Sequence, residues 1–120
     1  MASRSVEVSV LIPTYNAGPG FGAVLSAIAG QRTDFAYEVL LVDSGSTDET
    51  LELARRHSAR VLSIPKSEFS HGGARNYGIS EAGGEYVAMT VQDATPANDE
   101  WLGKLVENMA GDERVAGVYS

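Results

Sequence analysis

Short apolar runs alternate along the chain with segments of helical periodicity, and this alternation restricts the fold more than any other feature. Five runs rich in Val, Ile, Leu and Tyr predict β-strands: Val6–Ile12, Tyr37–Val42, Arg60–Ile64, Tyr86–Val91 and Val115–Tyr119. Apolar residues at helical spacing predict helices between them: Phe21–Ala29, roughly Thr47–His57, a segment ending at Ala82, and about Asp99–Ala110. Strands that alternate with helices predict an α/β domain, with a mostly parallel sheet and helices on both faces.

Local signals predict where these elements begin and end. Pro13 and Pro65 are expected to end the first and third strands. Ser46 with Glu49 three residues later has the form of a capping box, so the second helix is expected to begin near Thr47. Two glycines, 83 and 84, are expected to end the third helix.

Length and composition limit the class of protein. The chain has 120 residues, which fits one domain over residues 1–120. Its formal net charge is −7, so a nucleic-acid partner is not expected. The absence of cysteine excludes disulfides, thiolate zinc sites and a cysteine nucleophile. No apolar run approaches a membrane span and the N-terminus does not resemble a signal peptide, which favours a cytoplasmic location.

Polar residues follow three of the predicted strands. They are Thr14–Asn16, Asp43–Ser46 and Asp93, which comes just before Pro96. In an open parallel sheet, ligands bind beyond the carboxyl ends of the strands. The sequence therefore predicts a binding site at this edge, with Asp93 as the candidate metal ligand. Neither a G-x-G-x-x-G fingerprint nor a P-loop follows any strand, so the two common phosphate loops are absent.

Four motifs in order resemble the nucleotide-binding half of a family 2 glycosyltransferase with the GT-A fold. They are VSVLIPTYNAG at Val8–Gly18, VLLVDSGSTDET at Val39–Thr50, HGGARNYGI at His71–Ile79 and GEYVAMTVQDATP at Gly84–Pro96. The resemblance extends from about Val8 to Tyr119, and the wording of the last two motifs is most similar to the rhamnosyltransferase-like branch. It implies a Rossmann-like GT-A sheet and inverting transfer of a sugar from a dTDP-, UDP- or GDP-linked donor, assisted by Mg²⁺ or Mn²⁺.

The resemblance also implies which residues bind the nucleotide sugar. The set is Pro13, Thr14, Tyr15, Asn16, Asp43, Ser44, His71, Arg75, Gln92 and Asp93. Within it, residues 13–15 would line the nucleoside pocket and Asp43 would hydrogen-bond the base or the ribose. Arg75 would lie near the base or the diphosphate. Asp93 would bind the metal, as the second acid of the family's Asp-x-Asp motif.

Val91 occupies the position of the first acid of that motif, so Val91-Gln92-Asp93 keeps one carboxylate of two. A hard divalent ion can be held by one carboxylate together with diphosphate oxygens and water. Metal binding at Asp93 therefore remains the expectation, with a weaker protein contribution than two acids would give.

A catalytic base is not apparent among these residues. An inverting displacement needs a group that deprotonates the acceptor hydroxyl. In the resembling family this group and the acceptor site follow in the chain, so the base is expected beyond residue 120, in a longer protein of which this is a truncated part. That protein would use a sugar or lipid-linked acceptor and could lie at the inner face of the membrane. The truncated face would favour self-association.

Simpler explanations compete at several positions. Asp48 and Glu49 can be explained by the helix dipole, and so can His57 at a helix end. Trp101 is expected in the core. Two other functions remain open: a non-catalytic nucleotide-binding or interaction module, and a nucleotidyltransferase. The latter would be expected to carry a basic, glycine-rich phosphate loop after its first strand, and TYNAGPG contains no basic residue.

Overall fold

A computed structural model of the chain describes residues 7–65, 71–107 and 115–117. For His71, Gly72 and residues 115–117 it describes the backbone. The strands are β1 Val8–Thr14, β2 Tyr37–Asp43, β3 Arg60–Ser63, β4 Tyr86–Met89 and β5 Val115–Gly117. The helices are α1 Phe21–Ala29, α2 Thr50–Arg56, α3 His71–Glu81 and α4 Trp101–Glu107.

The strands form one five-stranded sheet in the order β3-β2-β1-β4-β5. Every neighbouring pair is parallel. From β1 to β3 the chain proceeds towards one edge, and β4 returns to the other side of β1. The order therefore reverses between β1 and β4. At such a switch point, the crevice beyond the carboxyl ends of the two strands is where open α/β sheets bind ligands.

The two faces of the sheet pack against different helices, so the expectation of helices on both faces is confirmed. On one face, even-numbered residues of β1 pack with α1, α2 and α4; the buried members are Val8, Val10, Ile12, Phe21, Val24, Leu25, Ile28, Leu41, Ala54, Ala88 and Leu102. On the other face, Leu11, Leu40, Val42 and Val87 pack with Ala74 of α3. This division follows the period-two alternation of side chains along a strand.

β1 continues through Pro13, contrary to the expectation that this proline ends it. Pro13 pairs with Val42 and Thr14 with Asp43 in the β1–β2 ladder. The strand tolerates Pro13 because the position of its missing N–H faces β4. The carbonyl of Leu11 accepts a hydrogen bond from Thr90 N, which shows that odd-numbered residues in this part of β1 direct their backbone groups towards β4. The missing N–H of Pro13 therefore interrupts the β4 side and leaves the β2 side intact.

Two other element boundaries differ from the sequence expectation. β4 ends at Met89, and Val91 is 39% exposed rather than part of a buried strand. α2 begins at Thr50, three residues later than expected, because the capping box does not form: Ser46 Oγ donates to Asp43 Oδ1 at 2.6 Å instead. At α2, a bond from Ser46 to the residue three positions earlier replaces the predicted cap.

The bounds of the remaining elements agree closely with those predicted from the sequence. α1 spans the expected Phe21–Ala29, and β2, β3 and the end of α3 each differ by one residue. Trp101 packs against the core, as expected. Of the other expectations, residues 108–110 of the last helix and 118–119 of the last strand lie outside the described residues. Within the described part, no helix combines the length and apolar character needed to cross a bilayer.

Candidate functional site

Asp43, the last residue of β2, is 1% exposed and accepts four hydrogen bonds from the chain. Its Oδ1 accepts from the hydroxyls of Thr14 at 2.8 Å and Ser46 at 2.6 Å. Its Oδ2 accepts from the backbone N–H groups of Gly45 at 3.0 Å and Ser46 at 2.8 Å. Because a carboxylate offers about four lone-pair sites, this set occupies them all. Gly45 makes the turn possible, with φ at +103°.

Ser44 is also buried and joins the same two strand ends. Its backbone N–H donates to the carbonyl of Thr14 at 3.1 Å, and its hydroxyl donates to the same oxygen at 3.4 Å. The hydroxyl of Thr14 is directed to Asp43, and its side chain is 2% exposed. The predicted site residues Thr14, Asp43 and Ser44 are therefore brought together, as the floor of the crevice rather than as exposed contacts.

Asn16 joins the loop after β1 to the loop after β2. Its φ is +43°, and its side-chain Oδ1 accepts hydrogen bonds from the N–H groups of Thr47 at 2.7 Å and Asp48 at 3.3 Å. Its own N–H donates to Ser46 Oγ at 2.9 Å. Two further bonds continue the connection, from Ala17 N to Thr50 and from Gly18 N to Asp48. The two loops therefore form one hydrogen-bonded surface.

Gln92 joins the loop after β4 to the loop after β1. The N–H of Tyr15 donates to Gln92 Oε1 at 2.9 Å, and Gln92 Nε2 donates to the carbonyl of Tyr15 at 3.3 Å. The side-chain amide thus binds both backbone groups of one residue. Tyr15 itself is 36% exposed at the crevice. This contact fixes the position of the following residue, Asp93, relative to the loop after β1.

Asp93 is exposed beyond the end of β4, in a turn where Ala94 N donates to the carbonyl of Val91 at 3.3 Å. It lies on the wall of an open cavity of about 400 Å³ that is also lined by Thr90, Ala94, Thr95, Pro96, Ala97 and Trp101. A larger cavity of about 590 Å³, between the α1–β2 loop and α4, is lined by none of the expected site residues.

Arg75 and His71 lie on α3, which covers the sheet face next to β1 and β2. Arg75 is exposed, and its Nε donates to Met89 Sδ at 3.2 Å. Met89 is the last residue of β4, so the guanidinium lies near the carboxyl end of that strand. His71 is the first residue of α3, and its side chain lies outside the described part of the structure.

A profile described as "Glycosyl transferase family 2" matches residues 9–119 of the chain. The chain belongs to glycosyl transferase family 2.

Relatives and solved structures agree with the fold and with the family. The O-antigen chain rhamnosyltransferase RfbN of Salmonella typhimurium is 34% identical over 103 residues, which cover 84% of this chain and 32% of that protein. The mannosyltransferase PcManGT of Pyrobaculum calidifontis, solved with GDP-Man and Mn²⁺, is 30% identical with a TM-score of 0.73, over 92% of this chain and 34% of that one. Staphylococcus aureus TarS 1-349, solved with UDP-GlcNAc, is 29% identical with a TM-score of 0.69, over 85% of this chain and 30% of that one.

These findings confirm the expected GT-A glycosyltransferase fold and the expected similarity to rhamnosyltransferases. The glycosyl transferase family 2 chain spans about a third of the length of each of these three proteins. The roles expected of its individual site residues stay predictions.

The side chains at the site of this family 2 chain allow a metal ion that is held jointly by the protein and a bound ligand. Among the described residues, no three His, Cys, Asp or Glu side chains are grouped so that they could hold a metal ion by themselves. Asp93 is exposed beyond the strand end, and the side chain of Val91, two residues earlier, has no oxygen. Mg²⁺ and similar ions are commonly held by one or two carboxylates together with substrate phosphates and water. The residues present fit such a shared site.

Ser46 lies in the predicted polar strand end, but neither Ser46 nor Asp48 was among the residues expected to bind the nucleotide sugar; both belong to the hydrogen-bonded framework of the site. Asp48 accepts from Thr50 Oγ1 at 2.5 Å, from Thr50 N at 2.9 Å and from Gly18 N at 3.0 Å. The hydroxyl of Thr50, followed by its amide, lowers the pKa of the Asp48 carboxyl below its ordinary value. The Asp43-Ser44-Gly45-Ser46 pattern, typical of a turn closed by an aspartate side chain, was the available signal for Ser46.

Proposed function

We propose that this chain binds a nucleoside diphosphate sugar at the crevice between β1 and β4, as the donor site of an inverting glycosyltransferase that acts on an acceptor hydroxyl. The observation that carries the proposal is the joining of three strand ends: Thr14 to Asp43 at 2.8 Å, and Tyr15 to Gln92 at 2.9 Å. Together they put the exposed Asp93 beside the loop after β1. The nucleotide sugars bound by TarS and PcManGT support the same class of ligand.

In this proposal Pro13, Tyr15 and Asn16 form the nucleoside end of the site. Tyr15 has the exposure needed to contact a base, since 36% of it is accessible. Asp43 acts on the nucleoside through the loop that it orders, because all four hydrogen bonds that it accepts come from the chain. A direct bond from Asp43 to base or ribose would require one of these donors to be displaced.

The diphosphate end of the site is assigned to Asp93 and Arg75. Asp93 would hold Mg²⁺ or Mn²⁺ together with diphosphate oxygens, and such an ion would supply positive charge to the leaving diphosphate. The Mn²⁺ in PcManGT supports this assignment. Arg75 is exposed near the end of β4, and its planar guanidinium suits bidentate contact with a phosphate. His71 would contribute from the first turn of the same helix.

The acceptor site and the catalytic base are proposed to come from parts of a longer protein that correspond to the remaining two thirds of the relatives. On this proposal the chain binds the donor and does not turn it over. A cytoplasmic location, which suits a soluble nucleotide-sugar donor, is part of the same proposal. Self-association through the face that the rest of the protein would cover is expected, and a monomeric mass at high concentration would argue against it.

Calorimetric titration with UDP, dTDP and GDP, each with and without Mn²⁺, tests the proposal. We expect one nucleotide to bind more tightly than the others and its affinity to rise with Mn²⁺. Asp93→Asn should remove the increase due to the metal while leaving the fold intact, because Asp93 is exposed. Asp99→Asn, also exposed and outside the crevice, is the matched control and should bind as the wild type does. A folded wild-type chain that binds none of the three nucleotides would contradict the proposal.

A further inference from the structure

The β1–β4 ladder stops at a definite point, and the reason lies in the sequence of β1. Leu11, Pro13 and Tyr15 are two residues apart, so all three direct their backbone groups towards β4. The carbonyl of Leu11 accepts from Thr90 N at 3.1 Å, which is the last bond of the ladder. Pro13 has no N–H and cannot continue it. The carbonyl of Pro13 accepts no backbone bond from the described residues after β4, so the next bond on this side is made by Tyr15.

At Tyr15 the partner is a side chain instead of a strand. The amide of Gln92 accepts from the N–H of Tyr15 at 2.9 Å and donates to its carbonyl at 3.3 Å. A primary amide presents one acceptor and one donor side by side, as a peptide group does. Gln92 therefore takes the place that a neighbouring strand would occupy, two residues beyond the interruption at Pro13.

This pairing lies at the point where the strand order reverses, between β1 and β4. Here the crevice opens, and among the described residues beyond Thr90 no backbone group after β4 pairs with β1. The bond from Thr90 to Leu11 joins the chain to β1 three residues before Asp93, and Gln92 adds a second connection directly beside Asp93. The side chain thus sets the distance between Asp93 and the loop after β1.

We propose that Gln92 is a positioning residue for the donor site: its amide replaces the strand pairing that Pro13 interrupts, and so holds the Asp93 turn in register with Tyr15. This inference rests on the proposed function, since the geometry that Gln92 fixes is that between the metal end and the nucleoside end of the site. It assigns Gln92 to the backbone of Tyr15 instead of to the sugar nucleotide.

The first test needs no ligand. In the 120-residue chain, we expect Gln92→Ala to speed amide hydrogen exchange at Tyr15 by about fivefold to tenfold, which is the effect of losing one hydrogen bond. Gln92→Glu keeps the acceptor and should restore part of the protection. Ser80→Ala removes another exposed bond from a side chain to the backbone, from Ser80 Oγ to the carbonyl of Tyr77, and should leave Tyr15 unchanged. Unchanged exchange at Tyr15 in Gln92→Ala would overturn the inference.

The second test separates a positioning role from a merely structural one. The readout is the factor by which Mn²⁺ raises nucleotide affinity, measured by calorimetry in the wild type, Gln92→Ala and Ser80→Ala. We expect this factor to fall by about fivefold to tenfold in Gln92→Ala, with affinity in the absence of metal changed less, and to be unchanged in Ser80→Ala. Gln92→Glu is left out of this comparison because its new charge beside Asp93 would itself attract a cation.

The outcomes of the second test are distinguishable. If the wild type shows a metal effect and Gln92→Ala shows the same effect, the inference fails and the proposed function stands. If the folded wild type binds no nucleotide with or without Mn²⁺, the proposed function fails, and the positioning role fails with it.

Discussion

The hydroxyl of Thr14 donates a 2.8 Å hydrogen bond to Oδ1 of Asp43, and this contact joins the carboxyl ends of two neighbouring strands. Both residues are almost fully buried, at 2% and 1% exposure. A buried carboxylate is tolerated only where it is well hydrogen-bonded, and Asp43 meets this condition with four donors. The contact therefore makes the floor of the crevice a structural feature as well as a predicted functional one.

Asp43→Ala should destabilise the chain. It would leave the Thr14 and Ser46 hydroxyls and the Gly45 and Ser46 amides without their acceptor, at an expected cost of about 2–4 kcal/mol. Urea unfolding at neutral pH measures this. Asp34→Ala, at an exposed aspartate in the α1–β2 loop, is the control and should change stability by less than about 0.5 kcal/mol. Equal stability of the two variants would show that the Asp43 network does not stabilise the fold.

Asn16 should stabilise the fold through both its side chain and its backbone conformation. Asn16→Ala loses the acceptor for Thr47 and Asp48 and also places an alanine at a φ of +43°. Asn16→Gly loses the same acceptor without the conformational strain. We expect the free energy of unfolding of Asn16→Ala to be lower than that of Asn16→Gly by about 1–2 kcal/mol, and both variants to be less stable than the wild type. Thermal unfolding of the wild type and the two variants measures this order of stability. An Asn16→Gly variant that is no more stable than Asn16→Ala would contradict the prediction.

Two helical glycines should respond in opposite directions to the same substitution. A Cβ on Gly78 of α3 would lie 2.5 Å from Leu11 Cδ1 and 3.0 Å from Val42 Cγ2, both in the core. Gly78→Ala should therefore destabilise by about 1–3 kcal/mol through overpacking. On Gly103 of α4 the nearest atom would be the Arg32 carbonyl oxygen at 3.7 Å, so Gly103→Ala should stabilise by up to about 1 kcal/mol. Chemical denaturation of the pair provides the comparison.

Val91→Asp should strengthen metal binding. Val91 is 39% exposed, so a carboxylate can be introduced at little cost to stability. It would restore the acid expected at the first position of the Asp-x-Asp motif and give the cation a second protein oxygen. We expect the Mn²⁺ concentration needed for half of the metal effect on nucleotide binding to fall by about tenfold. Val91→Asn, polar but uncharged, is the control, and an equal gain in both variants would argue against a carboxylate ligand.

Asp48 should contribute to the loss of folding stability at acid pH. Hydrogen bonds from Thr50, first from its hydroxyl and then from its amide, hold the pKa of Asp48 below its ordinary value of 3.8. A lowered pKa in the folded state stabilises the fold above the unfolded pKa, and this contribution is lost as the pH falls through the folded value. Asp48→Asn should therefore lower the stability of the fold at neutral pH, and the stability of this variant should decrease less steeply below about pH 4. Urea unfolding over that pH range tests this, and an unchanged slope would contradict it.

The sequence by itself determined the alternation of strands and helices, the faces of β1 and the polar strand ends. These depend on local periodicity: Val8, Val10 and Ile12 fall on one face because side chains alternate along a strand, and α1 has its expected bounds because Phe21, Val24, Leu25 and Ile28 repeat at helical spacing. The motifs also determined the family, which the comparison confirmed.

Only the tertiary structure decided how the strand ends are connected. A capping box at Ser46 and a strand end at Pro13 are sound local predictions. Instead, the amides of Thr47 and Asp48 bind the side chain of Asn16, and pairing with β2 continues β1 past Pro13. The pairing of Gln92 with Tyr15, 77 residues apart, has no local signal at all. Such contacts depend on strand order and on which backbone groups remain unpaired, and these are properties of the assembled sheet.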